Sequence, residues 1–360
     1  MKSYKITLLP GDGIGPEITH VTHKILGLVS KKFDFKLKFK EMPFGGSAID
    51  SEGIPFPDKT LQECKNSDAI LLAAIGDPKY DQLPREKRPE TGLLKLRSSL
   101  DLFANIRPVK IIPSLTKASS LKEEFVNKVD LVVVRELTGG IYFGEPKGRI
   151  KTEKGERAFN TMTYTSEEVK RIAEIAFKLA TQRNKKVCSI DKANVLDVSQ
   201  LWREETILVS KNFKGIELTH QYVDNAAMQL VRNPSQFDVI LTSNLFGDIL
   251  SDIAAMLTGS IGMLPSASLT KEGPGVFEPV HGSAPDIAGK DMANPIAMIL
   301  SAAMMLKIAF NETDAGNYLE EAINESLNEG YRTLDLMSSS GSGKQVSCSQ
   351  MGELIASKLN

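Results

Sequence analysis

Cysteine is scarce in this chain: Cys64, Cys188 and Cys348 are the only three, scattered and without a C-x-x-C pair. That excludes a disulfide framework or a cysteine-ligated zinc site and points to reduced thiols. Charge of one sign is not in excess either. Lys and Arg total 44 against 45 Asp and Glu, a net charge of -1, so no basic surplus exists to neutralise nucleic-acid phosphates. No apolar run is long enough to cross a bilayer. The opening Met1-Lys2-Ser3-Tyr4-Lys5 leads straight into Ile6-Thr7-Leu8-Leu9, without a signal-peptide pattern. A cytoplasmic protein with neither a nucleic-acid nor a membrane partner is expected. There is no internal repeat, and the one low-complexity patch, Ser338–Gly343, reads as a surface loop.

What is present suggests a large core. With 360 residues, 41% of them hydrophobic, the length predicts two domains. Short β-branched runs alternate with helical patterns, which predicts an α/β fold. Strands are expected at Lys5–Leu9, Phe35–Glu41, Ala69–Ala74, Leu131–Arg135, Lys186–Ile190, Glu217–Tyr222 and Val239–Thr242. Helices are expected at 15–31, 92–100, 166–182, 198–211, 224–231, 245–258, 295–310 and 315–329. Thr165 with Glu168 is a capping box, and Asn294-Pro295 places a cap before a first-turn proline. The glycine-rich segment 136–163 reads as a β-arm.

The segment 236–252 carries the most chemistry. Strand Val239–Thr242 precedes a helix capped by Ser243 or Asn244 and carrying Asp248 and Asp252 at i and i+4, so two carboxylates stack on one face. Oxygen donors so placed suit Mg²⁺ or Mn²⁺. A solvated acidic face is the bland alternative, but Leu245, Phe246, Ile249, Leu250 and Ile253 leave little of that helix for water. Ends of strands are also where open α/β sheets bind ligands. Arg97, Arg107 and Arg135 are forked donors beside apolar or glycine-rich sequence and suit a small dicarboxylate, although any one alone would read as a surface ion pair. Leu93 and Leu94 are core residues or the wall of an apolar pocket. Lys192 and Asp224 end strands; a solvated loop lysine is the ordinary reading of the first, and the second could complete a cation site or offset a nearby ammonium. Tyr142 is a candidate proton donor on the arm.

Two glycine-rich stretches invite a nucleotide reading. Gly11-Asp12-Gly13-Ile14-Gly15-Pro16 misses the dinucleotide fingerprint, because Pro16 stands where its third glycine belongs, and a tight turn explains it. The long loop Gly273–Gly289 precedes a well-marked helix and is of a length that is usually functional. Its glycines allow backbone amides to approach phosphate, and Asp286 could accept hydrogen bonds from a ribose diol.

Taken together, segments 90–108, Arg135–Gly144, Asp191–Asn194, Ser243–Asp252 and His281–Pro295 make the chain resemble the isocitrate/isopropylmalate dehydrogenase family of β-decarboxylating dehydrogenases. The resemblance implies an α/β fold whose two domains, 1–102 plus 259–360 and 103–258, share an open sheet with the active site in the interdomain cleft. It implies a homodimer with shared sites, clasped by the arm near 136–163. By the same resemblance Arg97, Arg107 and Arg135 bind substrate carboxylates. Asp224, Asp248 and Asp252 hold Mg²⁺ or Mn²⁺, with Asp224 and Lys192 reaching in from the partner subunit. Lys192 accepts the hydroxyl proton and Tyr142 is the general acid. Glu90, Leu93, Leu94 and Val195 match the pocket around an isopropyl group, implying 3-isopropylmalate as substrate and a place in leucine biosynthesis. Ile14, His281, Gly282, Ser283, Ala284, Pro285, Asp286, Ile287 and Asn294 match the cofactor site, and the Asp286-Ile287 pair implies NAD. Lys147 and Asp291-Met292 depart from the family pattern away from catalytic positions. Two alternatives stay open: a tartrate or D-malate dehydrogenase with the same machinery, and a non-catalytic homologue, which would have lost the lysine, tyrosine or aspartates that this chain retains.

Overall fold

The computed structural model describes residues 1–337 and 343–359; residues 338–342 of the low-complexity patch lie outside them. The chain divides into two compact units, Met1–Leu102 with Ile111–Glu123 and Ala255–Asn360, and Phe103–Lys110 with Glu124–Ala254. Residues 111–123 and 255–258, grouped above with the second domain, therefore pack with the first. The physical ties are local: Arg332 Nη2 donates to the Ser114 carbonyl at 2.7 Å, and Leu115 and Leu257 are buried.

The first unit carries strands in the order Phe35–Glu41, Lys2–Gly11, Ala69–Ala74, Gly275–Pro279, Pro265–Leu269. All neighbours are parallel except the last pair. Ala69–Ala74 is buried at every position, as a strand covered on both faces must be. The helix Ile296–Ile308 is apolar around its whole circumference and lies in the interior of this unit. Its cap differs from the expected arrangement: Pro295 stands at the N-cap and not in the first turn, while Asn294 Oδ1 accepts the Ile296 N–H at 3.0 Å.

The second unit orders its strands Ala104–Lys110, Asp130–Glu136, Val239–Thr242, Lys186–Asp191, Glu217–Tyr222, the first pair antiparallel and the rest parallel. The capping box forms at the helix Ser166–Thr181: the Thr165 N–H donates to Glu168 Oε2 at 2.8 Å, and the Glu168 N–H to Thr165 Oγ1 at 3.3 Å. Within the arm, Gly148–Thr152 and Gly155–Phe159 pair as an exposed antiparallel hairpin. Among the described residues no helix is long and apolar enough to cross a membrane.

All three thiols are buried, and burial pushes Cys64 and Cys348 up to about 12 and Cys188 to about 11. Thiolate, not thiol, is the nucleophile. The native protein should therefore leave all three cysteines unlabelled by iodoacetamide at pH 8, whereas in denaturant all three should react; one thiol labelled in the native state at the denatured rate would contradict this packing.

Candidate active site

In the second unit the site grows from the end of strand Val239–Thr242, where the chain turns into the helix Asn244–Ala255. The first N–H groups of that helix need partners. Neither Ser243 nor Asn244 supplies a side-chain cap, contrary to the sequence expectation. The Asn244 N–H donates to Tyr164 Oη at 2.9 Å, and the Gly247 N–H to the Ser243 carbonyl at 2.8 Å. Asn244 is spent elsewhere. Its Oδ1 accepts from Arg135 Nε at 3.1 Å and Nη2 at 2.8 Å, and its Nδ2 donates to the carbonyls of Leu137 and Gly139, each at 3.1 Å.

Arg135 is 1% exposed, and its Nη1 donates to Asp248 Oδ1 at 2.6 Å. Gly247 makes room for it, since a Cβ there would fall 2.7 Å from Arg135 Cγ. Tyr142 Oη donates to the other Asp248 oxygen at 2.8 Å. Arg107 Nη1 donates to Ser251 Oγ at 2.6 Å and lies 4.0 Å and 3.9 Å from Asp248 and Asp252. Its Nε donates to Asn105 Oδ1 at 2.7 Å. Two guanidiniums, two carboxylates and a phenol thus meet on one helix face. That face is wetter than its apolar sequence suggests: Ile249 is 51% exposed and the Asp252 side chain 60%.

Lys192 and Asp224 pair with each other, Nζ to Oδ1 at 2.8 Å, and this hydrogen bond holds the Asp224 carboxyl below the usual carboxylate range. Val195, on the same loop, is 68% exposed. Among the described residues no three His, Cys, Asp or Glu side chains gather as a metal site, so Asp224 does not join Asp248 and Asp252 within one subunit. The pair Asp248 and Asp252 still offers the hard oxygen donors that Mg²⁺ or Mn²⁺ takes.

In the first unit, the helix Pro89–Ser99 carries Glu90, Leu93, Leu94 and Arg97 at i, i+3, i+4 and i+7, a single face. Glu90 is exposed, and both leucines are half-buried, Leu93 against the core around Leu96 and Phe56. Arg97 is buried with Nη2 3.4 Å from Glu278 Oε1, and its Nε is a buried donor without a partner.

Not all of Gly273–Gly289 is loop. Gly275–Pro279 is a buried strand between two neighbours, and Val276 and Phe277 supply its apolar faces. The rest is braced by the Gly11–Pro16 turn: the Ile14 N–H donates to the Ser283 carbonyl at 2.8 Å. Gly13, at φ +57°, sits so close that a side chain would strike that carbonyl. Asp12 fixes the turn by accepting N–H bonds from Gly46, Ser47 and Gly76 at 2.9–3.0 Å. At the far end Asp291 takes a left-handed conformation and accepts from Ser349 N at 2.7 Å and Ser349 Oγ at 2.6 Å. Between these braces lies a cavity of about 470 Å³ lined by Ile14, His281, Gly282, Ala284, Ile287 and Asn294. Ser283 is buried behind it, whereas Pro285 and Asp286 are exposed on the same loop. Burial pushes the His281 imidazole below its usual range.

Residues 5–355 match the family model described as isocitrate/isopropylmalate dehydrogenase. The chain belongs to that family. It is 87% identical over 359 residues to a 3-isopropylmalate dehydrogenase of Prochlorococcus marinus (strain NATL2A), covering 100% of both chains. It is 62% identical over 359 residues to one of Synechococcus sp. (strain CC9902), again covering 100% of both. The crystal structure of isocitrate dehydrogenase from Methylococcus capsulatus superposes with TM-score 0.87 at 34% identity, covering 99% of each chain.

Sequence reading missed Asn105, Tyr164, Ser251 and Glu278, and took Asn244 for a cap. Asn105 shares a strand face with Arg107, and Glu278 is a lone carboxylate in an apolar strand; both signals were available. Asn244→Ala would strand the Arg135 guanidinium and two carbonyls. It should cost about 2–4 kcal/mol of stability in urea unfolding; a loss below about 1 kcal/mol would show that Arg135 does not depend on it.

Proposed function

We propose that this family member oxidatively decarboxylates (2R,3S)-3-isopropylmalate to 4-methyl-2-oxopentanoate and CO₂ with NAD, as a cytoplasmic step of leucine biosynthesis. The observation that supports the substrate reading is the helix face on which two half-buried leucines stand one turn before the Arg97 guanidinium. That face matches a molecule with a carboxylate beside a branched alkyl group. Full-length likeness to proteins named for this activity supports the same reading.

Arg97, Arg107 and Arg135 would engage the carboxylates as forked donors. Asp248 and Asp252, with Asp224 from a second subunit, would hold the divalent cation. When bound, NAD supplies the hydride acceptor and Mg²⁺ or Mn²⁺ the polarisation of the C2 oxygen. Lys192 would take the C2 hydroxyl proton. After the C3 carboxylate leaves as CO₂, Tyr142 would deliver its phenolic proton to C3. The Tyr142–Asp248 hydrogen bond keeps that phenol aimed at the carboxylate pair beforehand.

A dimer follows from the shared-site reading. Leu208, Met228 and Val231 are exposed apolar groups of the second unit, as is Ile249 beside the carboxylates, and such surface is suited to a second copy. The exposed hairpin 148–159 would be the clasp.

Purified protein should form NADH from 3-isopropylmalate and far less from D-malate at matched concentration, with activity abolished by EDTA and restored by Mg²⁺ or Mn²⁺. Faster turnover of D-malate would replace this reading with the smaller-substrate one. Asp286 should set the dinucleotide preference, because a carboxylate accepts ribose hydroxyls and repels a 2′-phosphate. The double change Asp286→Lys with Ile287→Tyr should shift the NAD/NADP ratio of kcat/KM toward NADP by at least about tenfold; an unchanged ratio would remove the ribose role from this loop.

A further inference from the structure

Glu136 is the last residue of strand Asp130–Glu136, next to Arg135, and it is fully buried. A carboxylate out of water must have its oxygens met by donors. Its Oε1 accepts the Thr138 N–H at 2.9 Å and Thr138 Oγ1 at 2.8 Å, and its Oε2 accepts the Gly139 N–H at 2.7 Å. Arg171 stands 3.8 Å from Oε1 and donates to Thr138 Oγ1 at 2.7 Å. All three donors to the carboxylate thus belong to Thr138 and Gly139, where the chain leaves the sheet.

The next residues form the single turn Gly140–Tyr142, and the Tyr142 side chain ends on Asp248. Gly139 is held at both its polar groups, the N–H by Glu136 and the carbonyl by Asn244 Nδ2 at 3.1 Å. Its backbone lies so close to Tyr164 that a Cβ there would fall 2.6 Å from Tyr164 Cε1. The Gly140 N–H adds a bond to the Thr163 carbonyl at 3.0 Å, and past Gly144 the chain enters the exposed hairpin 148–159. A buried carboxylate at a turn is ordinarily explained by stability alone. Here Tyr142 follows Gly139 by three residues, so a shift of the Gly139 peptide is carried to the phenol. Moving a reacting group by about 1 Å can cost about a hundredfold in rate.

We propose that Glu136 is a positioning residue for the proton that Tyr142 delivers to C3. This rests on the reading of Tyr142 as the acid and deepens it. An amide in place of the carboxylate keeps the shape but cannot replace it. With its oxygen toward Thr138 its NH₂ meets the Gly139 N–H, and turned over it meets the Thr138 N–H. Either way one peptide of the turn loses its acceptor.

Steady-state kinetics with 3-isopropylmalate and NAD, in wild-type protein and in Tyr142→Phe, test this. Glu136→Gln should lower kcat at least about tenfold and leave KM for 3-isopropylmalate within about threefold, with an unchanged circular dichroism spectrum. In the Tyr142→Phe background the same change should cost less than about twofold, because the phenol it positions is gone. An undiminished kcat in E136Q would overturn the proposal. So would an equal loss in both backgrounds, the mark of a merely structural role. Glu136→Asp keeps the buried charge but withdraws it by one methylene; it runs through the same cycle and decides the matter if E136Q does not fold. A Tyr142→Phe protein with wild-type kcat would overturn the reading of Tyr142 as the acid, and this inference with it.

Discussion

The buried guanidinium of Arg135 is the constraint on which the polar site of the second unit depends. Arginine cannot shed its proton, so burying it costs several kcal/mol unless its donors are met. Here Asn244 meets two of them and Asp248 a third. Both partners sit on the helix that follows the neighbouring strand, and Gly247 removes the side chain that would hold that helix away. Placing Arg135 therefore places Asp248. The i+4 spacing then places Asp252, and the second Asp248 oxygen places Tyr142. A single desolvation requirement orients a phenol, two carboxylates and a guanidinium together.

The loop 281–294 of the first unit is held by different means. Backbone does most of the work: a carbonyl of the loop accepts the Ile14 N–H, and glycine at position 13 allows the approach. Asp291, one of the two departures from the family pattern, adds a tie of its own through Ser349 on the C-terminal helix. Rigid framing by main-chain bonds leaves the side chains of the cavity free to be largely apolar. The glycine turn that looked like a failed fingerprint is thus a brace for another loop.

Legibility followed local physics. Strands with uninterrupted β-branched or apolar runs, such as Ala69–Ala74 and Val239–Thr242, were read with their observed ends, because burial on both faces leaves one pattern. Ala104–Lys110 was not read, since Asn105, Arg107 and Pro108 break the alternation for the sake of the site. Gly275–Pro279 was hidden by glycine and proline at its ends. The short helices Gly46–Glu52 and Asp58–Asn66 have too few turns to establish a period. In the site, the charged residues announced themselves by type and spacing. Tyr164, Ser251 and the true use of Asn244 did not, because their roles are tertiary hydrogen bonds with no sequence period.

The same physics bounds how selective the leucine face can be. An apolar wall gains only about 1–3 kcal/mol from each methylene it covers, so neighbouring alkyl groups should be ranked weakly. A carboxylate presented to Leu93 and Leu94 is another matter: neither leucine can donate a hydrogen bond. The desolvated charge would remain unpaired, at a cost of several kcal/mol. On the proposed reading, the helix face would therefore reject a third carboxylate far more firmly than it would rank alkyl substituents.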